Sequence, residues 1–186
     1  MGVQDPQDLV GLTVSDVTFL QPDWGGKFAN IVAELDFRAA QERTAVSSKH
    51  PFLDASGEAQ FEEVIKSPIY GSRSKKILGI ITYRQDLTDR LSCSEVYALY
   101  RNFYAAPEAI NRVLAYFGIA QCFAIPPSEA PFRILLAKAQ RYSNKEIARS
   151  LGISPRTVDY QLTALRNKLV DGDLRHVLTL INEVRV

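Results

Sequence analysis

The run from Ser143 to Leu169 constrains this chain more than any other, because its punctuation leaves room for little except two helices and a tight corner. Ser143 stands three residues before Glu146. The serine hydroxyl can accept from the amide of the third helical residue while the glutamate reaches back to the serine amide, which makes a capping box. Ile147, Ala148 and Leu151 then give the first helix an inner face. Gly152 falls where a helix most often ends in a left-handed residue, a conformation glycine enters without steric penalty. Ile153 fills the corner. Ser154 and Pro155 restart a helix, as a polar cap followed by a proline whose missing N–H has no intrahelical partner to lose. Val158, Leu162, Leu165 and Leu169 recur at steps of four, three and four, forming one apolar stripe. The other face carries Arg156, Thr157, Asp159, Tyr160, Thr163, Arg166 and Lys168. An anchoring stripe behind a polar, cationic face is what a helix in a DNA major groove requires. The same spacing also fits an ordinary helical hairpin with a solvated face, since such corners occur in folds that bind no DNA.

The residues also carry a resemblance. SNKEIARSLGISPRTV closely resembles the LuxR/GerE-type helix-turn-helix of bacterial transcription regulators, from about Ser143 to Leu169 and more weakly over Pro127 to Val184. The capping box, small Ala148, Gly152, the S-P-R-T-V entry and the K-L exit stand in one register. In three places the chain departs from the pattern. SEAPFRILLAKAQRY replaces the usual acidic and arginine pattern of the leading helix, Tyr142 stands where a small residue is usual, and Gln161 where a histidine is common. The resemblance implies a four-helix domain over 128–186 with double-stranded DNA as its partner. It implies that Asp159, Tyr160 and Thr163 face the bases. It further implies a dimer contact through the last helix, about Asp173 to Val184, where Leu174, Val177, Leu178 and Ile181 recur at helical steps; the same residues could close the domain's core, and both roles can hold at once.

Charge and position assign Asn144, Lys145, Arg156, Thr157, Arg166 and Lys168 to phosphates, contacts that release counterions and position the helix without reading sequence. An aspartate can accept from cytosine N4, and a threonine can hydrogen-bond or touch a thymine methyl. Asp159 also repels phosphate and so discriminates against wrong sites. A dimer would read half-sites about one helical turn, roughly 34 Å, apart.

Charge is distributed to match. The net charge is +1 over 186 residues, but Ser128–Val186 holds 10 Lys/Arg against 6 Asp/Glu, leaving 12 against 15 for the rest. A basic binding domain tied to an acidic partner domain gives this asymmetry. Apolar residues at 46% and charged residues at 23% fit a globular chain. Cys93 and Cys122 lie far apart with no secretory segment, which points to a reducing cytoplasm. No apolar run approaches the ~20 residues of a membrane span. Two histidines, two distant cysteines and no phosphate-cradling glycine loop leave no catalytic set, so an enzyme is not expected.

Ahead of this domain, Phe28–Ala45 shows helical spacing and QPDWGGKF reads as a loop. Ala55-Ser56-Gly57 reads as a hairpin turn and Gln60–Ile69 as a strand. Ile77–Tyr83, rich in β-branched residues, reads as a buried strand. The KSPI strand, the ILGIITY strand and the closing Asp86-Leu87-Thr88 resemble the second half of a PAS sensor domain, over about Asp5–Arg90. In that alignment PQDLVGLTVSDV falls in the family's middle segment and the first two strands have no counterpart, so the chain is a fragment, or the sheet is shortened, or a second subunit completes it; because an open sheet edge invites pairing, the N-terminal region is expected to dimerise. PAS domains take haem, flavin or small metabolites; no cofactor is expected here, and the signal, small molecule or protein, stays open. His50, beside Pro51 in an expected loop, is read as structural or surface rather than a ligand, and Trp24 as packing. The Trp/Tyr/Asp set of the acyl-homoserine-lactone receptors and a phospho-receiver pattern are not found.

Between the two modules, Ser92 and Glu95 make a second capping box, and Val96, Leu99, Tyr100 and Phe103, then Ile110, Val113, Leu114 and Phe117, form apolar faces. These faces suit either the sheet or a second copy, with a slight preference for the copy. Ala124–Ser128, with two prolines, reads as a stiff linker. The expectation is therefore an α+β chain: a PAS-like sensor over 1–90, a helical connector over 91–127, and a helix-turn-helix domain over 128–186. Its function would be that of a homodimeric transcription regulator reading DNA under sensor control. The alternative is a modulator that heterodimerises with other regulators without reading DNA itself.

Overall fold

The computed structural model describes residues 5–12, 16, 19, 22–72 and 75–184. The chain forms two compact units, Met1–Thr88 and Asp89–Val186. Part of the expected middle segment of the sensor, PQDLVGLTVSDV, lies outside the described residues.

In the first unit, helix α1 (Pro22–Glu42) lies against an antiparallel sheet of order β1-β2-β3, formed by Val46–Leu53, Ala59–Tyr70 and Ile77–Asp86. The helix starts earlier than expected, because Gly25 and Gly26 sit inside it rather than in a loop. At Gly25 an added methyl would come within 2.5 Å of the Phe19 ring, so glycine is what admits that ring. Leu35 and Ala39 of α1 meet Val46 and Val64 of the sheet, with Ile31 and Ile80 packed alongside. On the same helix Asp36 pairs with the buried ammonium of Lys66 at 2.9 Å.

The register runs from Val46↔Lys66 to Leu53↔Ala59 across β1 and β2. The Asp54 carboxylate holds the turn, accepting from the Ser56 and Glu58 amides at 2.9 and 2.8 Å. Burial raises the pKa of this carboxyl, but the hydrogen bonds from Ser56, Glu58 and Gly57 outweigh it and hold the group below the usual range. β2 and β3 pair from Glu62↔Asp86 to Tyr70↔Ile77, with a slip at Ile69/Tyr70. The Asp86-Leu87-Thr88 corner is pinned: Asp86 accepts from the Thr88 amide at 2.8 Å, and Thr88 Oγ1 accepts from the Phe61 amide at 2.9 Å.

One expectation is corrected here. Ile77–Tyr83 is a strand but not a buried one; Leu78 is 67% and Tyr83 56% exposed. β3 is an edge of the sheet, and α1 does not cover its full length.

The second unit is all helical: α2 (Cys93–Arg101), α3 (Ala106–Tyr116), α4 (Glu129–Ala139), α5 (Asn144–Leu151), α6 (Pro155–Arg166) and α7 (Leu174–Glu183). The capping box of Ser92 and Glu95 opens α2. α2 and α3 pack on each other and on α4. Val96, Leu99, Tyr100, Ile110, Val113, Leu114 and Phe117 are buried there, and Tyr97 meets Phe132 of α4 edge-on at 5.2 Å. The apolar faces of segment 91–127 thus find their cover within this unit. The segment after α3 is also stitched in: Ala124 N–H donates to the Lys168 carbonyl at 2.9 Å and Val170 N–H to the Cys122 carbonyl at 3.0 Å. Those bonds, and the burial of Pro127, hold the expected linker Ala124–Ser128 against the end of α6.

Candidate nucleic-acid interface

The hairpin of α5 and α6 forms for the reasons its sequence suggests. Ser143 Oγ accepts from the Glu146 amide at 3.3 Å, and Ser143 N–H donates to Glu146 Oε2 at 2.7 Å. Gly152 is left-handed at φ +66°. Ile153 N–H donates to the Ala148 carbonyl at 3.0 Å and Gly152 N–H to Arg149 at 3.4 Å, a Schellman closure that satisfies two terminal carbonyls. Ser154 Oγ accepts from the Thr157 amide at 3.0 Å and starts α6.

Val158, Leu162, Leu165 and Leu169 are all buried, and α6 packs against α4, whose Phe132, Ile134, Leu135 and Leu136 are buried as well. Each such aliphatic contributes about 1.5–3 kcal/mol of transfer free energy, before ordering costs. The opposite face is open. Arg156, Asp159, Thr163 and Arg166 are exposed, and Tyr160 is 71% exposed. Lys145 is exposed on α5.

Several expected phosphate contacts are already engaged. Thr157 is half-buried and serves the α6 cap, its hydroxyl 2.9 Å from Ser154 Oγ. Lys168 is half-buried and donates to the Pro126 carbonyl at 3.2 Å. Asn144 is half-buried, with Nδ2 donating to Asp159 Oδ1 at 2.6 Å. Its Oδ1 accepts from Lys138 Nζ at 2.9 Å. Thr163 Oγ1 donates to the Asp159 carbonyl at 3.0 Å, so its hydrogen is committed and its oxygen can still accept. Lys138 lies at the end of α4, and no periodicity or motif in the sequence links a residue six positions before Asn144 to the recognition face.

The last helix, α7, closes the core of its unit. Leu174, Val177 and Ile181 are buried, the latter two at 0% exposure, against the core that includes α4. Leu178 alone of the four is half-buried, with Arg175 and Thr179 exposed beside it.

The first unit holds a second candidate site. His50 is in β1, not in a loop, and is buried against Glu62 of β2, with Nε2 3.2 Å from Oε1 but without hydrogen-bond geometry. Arg84 donates from Nε to Glu62 Oε2 at 2.8 Å and stacks over Phe52 at 4.3 Å. Trp24 stacks on Phe28 at 5.1 Å and meets Phe52 edge-on at 5.4 Å, which bears out its packing role. Both His50 nitrogens and Glu62 Oε1 are left without a hydrogen-bond partner in an aromatic surround. Among the described residues no cluster of three metal-ligating side chains occurs, and no helix is long and apolar enough to cross a membrane.

Residues 132–179 match the family model GerE, bacterial regulatory proteins, luxR family. This part of the chain is a helix-turn-helix DNA-binding domain of that type. No curated protein matches the chain. Among solved structures, it is similar to a Vibrio cholerae VqmA–ligand–DNA complex, with 21% identity over 99% of this chain and 73% of that one, at a TM-score of 0.46. A phage VqmA–DPO complex shares 23% identity over 93% and 66%, with a TM-score of 0.39. A Vibrio cholerae VqmA dimer without target DNA shares 20% over 96% and 70%, with a TM-score of 0.40.

Proposed function

We propose, from the premise that residues 132–179 are a LuxR-type helix-turn-helix domain, that this protein is a sequence-specific transcription regulator that reads DNA as a dimer. The observation that carries this reading is the division of α6 into four buried aliphatics and an exposed face of Arg156, Asp159, Tyr160, Thr163 and Arg166. A helix held from behind and bare in front can enter a major groove without unfolding anything. Arg156, Arg166 and Lys145 neutralise phosphates and fix the depth of entry. Asp159, Tyr160 and Thr163 meet base edges. Two copies joined through the Leu178 side of α7 read half-sites one helical turn apart. The first unit, PAS-like in the expected sense, acts as the sensor over 1–90.

A second reading, a modulator that pairs with other regulators, is favoured by one observation. β3 exposes Leu78, Ile81 and Tyr83 on an open sheet edge, which is suited to strand addition. One experiment separates the two. Purified protein is titrated onto a randomised duplex library at several salt concentrations, and bound DNA is sequenced. A regulator enriches a two-half-site motif, and its log affinity falls linearly with log salt. Failure to bind any duplex at micromolar protein and low salt, where non-specific constants of roughly 10⁻⁴–10⁻⁶ M are already reached at physiological salt, would leave the modulator.

A further inference from the structure

We propose that Lys138, which lies at the end of α4 and off the recognition helix, determines specificity as a positioning residue: it orients the Asn144 amide so that Asn144 holds Asp159 in one acceptor posture toward the bases. The proposal rests on the DNA-binding reading above and adds a residue and a chemical selection to it.

The chain of contacts is Lys138 Nζ to Asn144 Oδ1 at 2.9 Å, then Asn144 Nδ2 to Asp159 Oδ1 at 2.6 Å. An ammonium only donates and a carboxylate only accepts. An amide between them has one orientation, oxygen toward the lysine and nitrogen toward the aspartate. The direction of the chain therefore follows from the groups at its two ends, and both links are charge-assisted. Lys138 is itself held, donating also to the Tyr142 carbonyl at 3.3 Å. That places its cation at the carbonyl end of α4, where the helix dipole favours positive charge.

Two consequences follow for readout. Asn144 has its oxygen and one amide hydrogen committed, so it works as a spacer more than as a phosphate clamp. Asp159 has Oδ1 occupied and Oδ2 left to meet a base. A carboxylate oxygen selects an exocyclic amino group in the major groove, N4 of cytosine or N6 of adenine, and rejects the carbonyl oxygens of guanine and thymine. Without Lys138 the amide loses its anchor, Asp159 samples other rotamers, and the selection at that base pair weakens. A glutamate at 138 would accept instead of donate. It would draw the amide nitrogen to itself and turn the amide oxygen onto Asp159, driving the carboxylate away.

The test compares wild type, Lys138→Met, Lys138→Glu, Lys138→Arg and Asp159→Ala, with the double variant Lys138→Met/Asp159→Ala. The readout is binding-site selection on a randomised duplex library, alongside thermal melting. The expected result is that Lys138→Met weakens the preference at one base-pair column of each half-site by roughly fivefold or more, within the range a single mismatch spans. Other columns and the salt slope stay as in wild type. Lys138→Glu alters the same column further, Lys138→Arg restores it, and Lys138→Met has no added effect when Asp159 is already alanine. Melting separates a fold defect from this effect, because a destabilised domain binds every sequence less well in proportion. An equal loss on all sequences would mean that Lys138 touches phosphate or merely caps α4, and would overturn the proposal. So would a changed column that persists in the Asp159→Ala background. Unchanged preference in Lys138→Met, with wild type still binding DNA, refutes only this inference, whereas a wild type that binds no duplex refutes the DNA-binding reading with it.

Discussion

Replacing Gly152 by alanine isolates the energetic cost of the corner between α5 and α6. The residue stands at φ +66° and ψ 32°, in the left-handed region, and closes the Schellman pattern that satisfies the Ala148 and Arg149 carbonyls. A Cβ built there meets nothing within 4 Å, so no steric collision adds to the backbone term. What remains is the left-handed penalty of an L-residue, about 1–2 kcal/mol, partly offset by the smaller unfolded-state entropy of alanine, about 0.4–1 kcal/mol. The net loss is about 1 kcal/mol. For a domain of this size it lowers the melting temperature by roughly 4–8 °C. Asparagine at 152, which tolerates the left-handed region, should cost visibly less than alanine. Urea or thermal unfolding of the full chain, followed by a probe on the helical unit, measures both. A domain stable by about 5–15 kcal/mol stays almost fully folded after such a loss, so DNA affinity at 25 °C should change little. An alanine variant as stable as wild type would show that the corner is not left-handed. A loss beyond about 4 kcal/mol would show that the Cβ has no room, and in either case the reasoning fails.

Other outcomes follow from the same contacts. Arg166→Ala should weaken binding to all duplexes alike and flatten the log–log salt slope by about 0.9, read by fluorescence anisotropy across salt. Lys168→Ala should also flatten the slope, and by less, because its ammonium is tied to the Pro126 carbonyl; it should also lower the melting temperature. Thr163→Ala should shift base preference in a selected-site experiment, while Thr163→Ser, which keeps the hydroxyl bonded to the Asp159 carbonyl, should shift only what the methyl reads. Burial first, and then the Glu129 carboxylate, push the Tyr97 hydroxyl up to about 12 from its usual 10.0. Its folded pKa is raised, so its contribution is fully present below pH 10 and is lost as pH rises toward 12. Denaturant midpoints between pH 9 and 12 should fall less steeply in Tyr97→Phe than in wild type.

The second unit was far more legible in sequence than the first, and particular residues show why. Ser143, Glu146, Gly152, Ser154 and Pro155 act on their own backbone within a few positions, so their effect is written in local order. The stripe of Val158, Leu162, Leu165 and Leu169 states its own burial through its period. β3 gave the opposite lesson: ILGIITY has the composition of a buried strand, yet its exposure depends on whether another strand lies beside it, which composition does not record. His50 read as a loop residue beside proline and is buried in a strand, because Glu62 and Phe28 reach it from distant parts of the chain.

Caps, corner and anchoring stripe were thus settled by residue order alone, since each is an interaction over three or four positions that any fold must honour. Tertiary packing decided which polar groups remain available once those helices meet. It spent Thr157 on a cap, Lys168 on the Pro126 carbonyl and Asn144 on Asp159, and it placed Val177 and Ile181 inside the core. A hydrogen bond between residues 15 positions apart leaves no periodic trace in the chain, because its geometry exists only after α4, α5 and α6 have packed together.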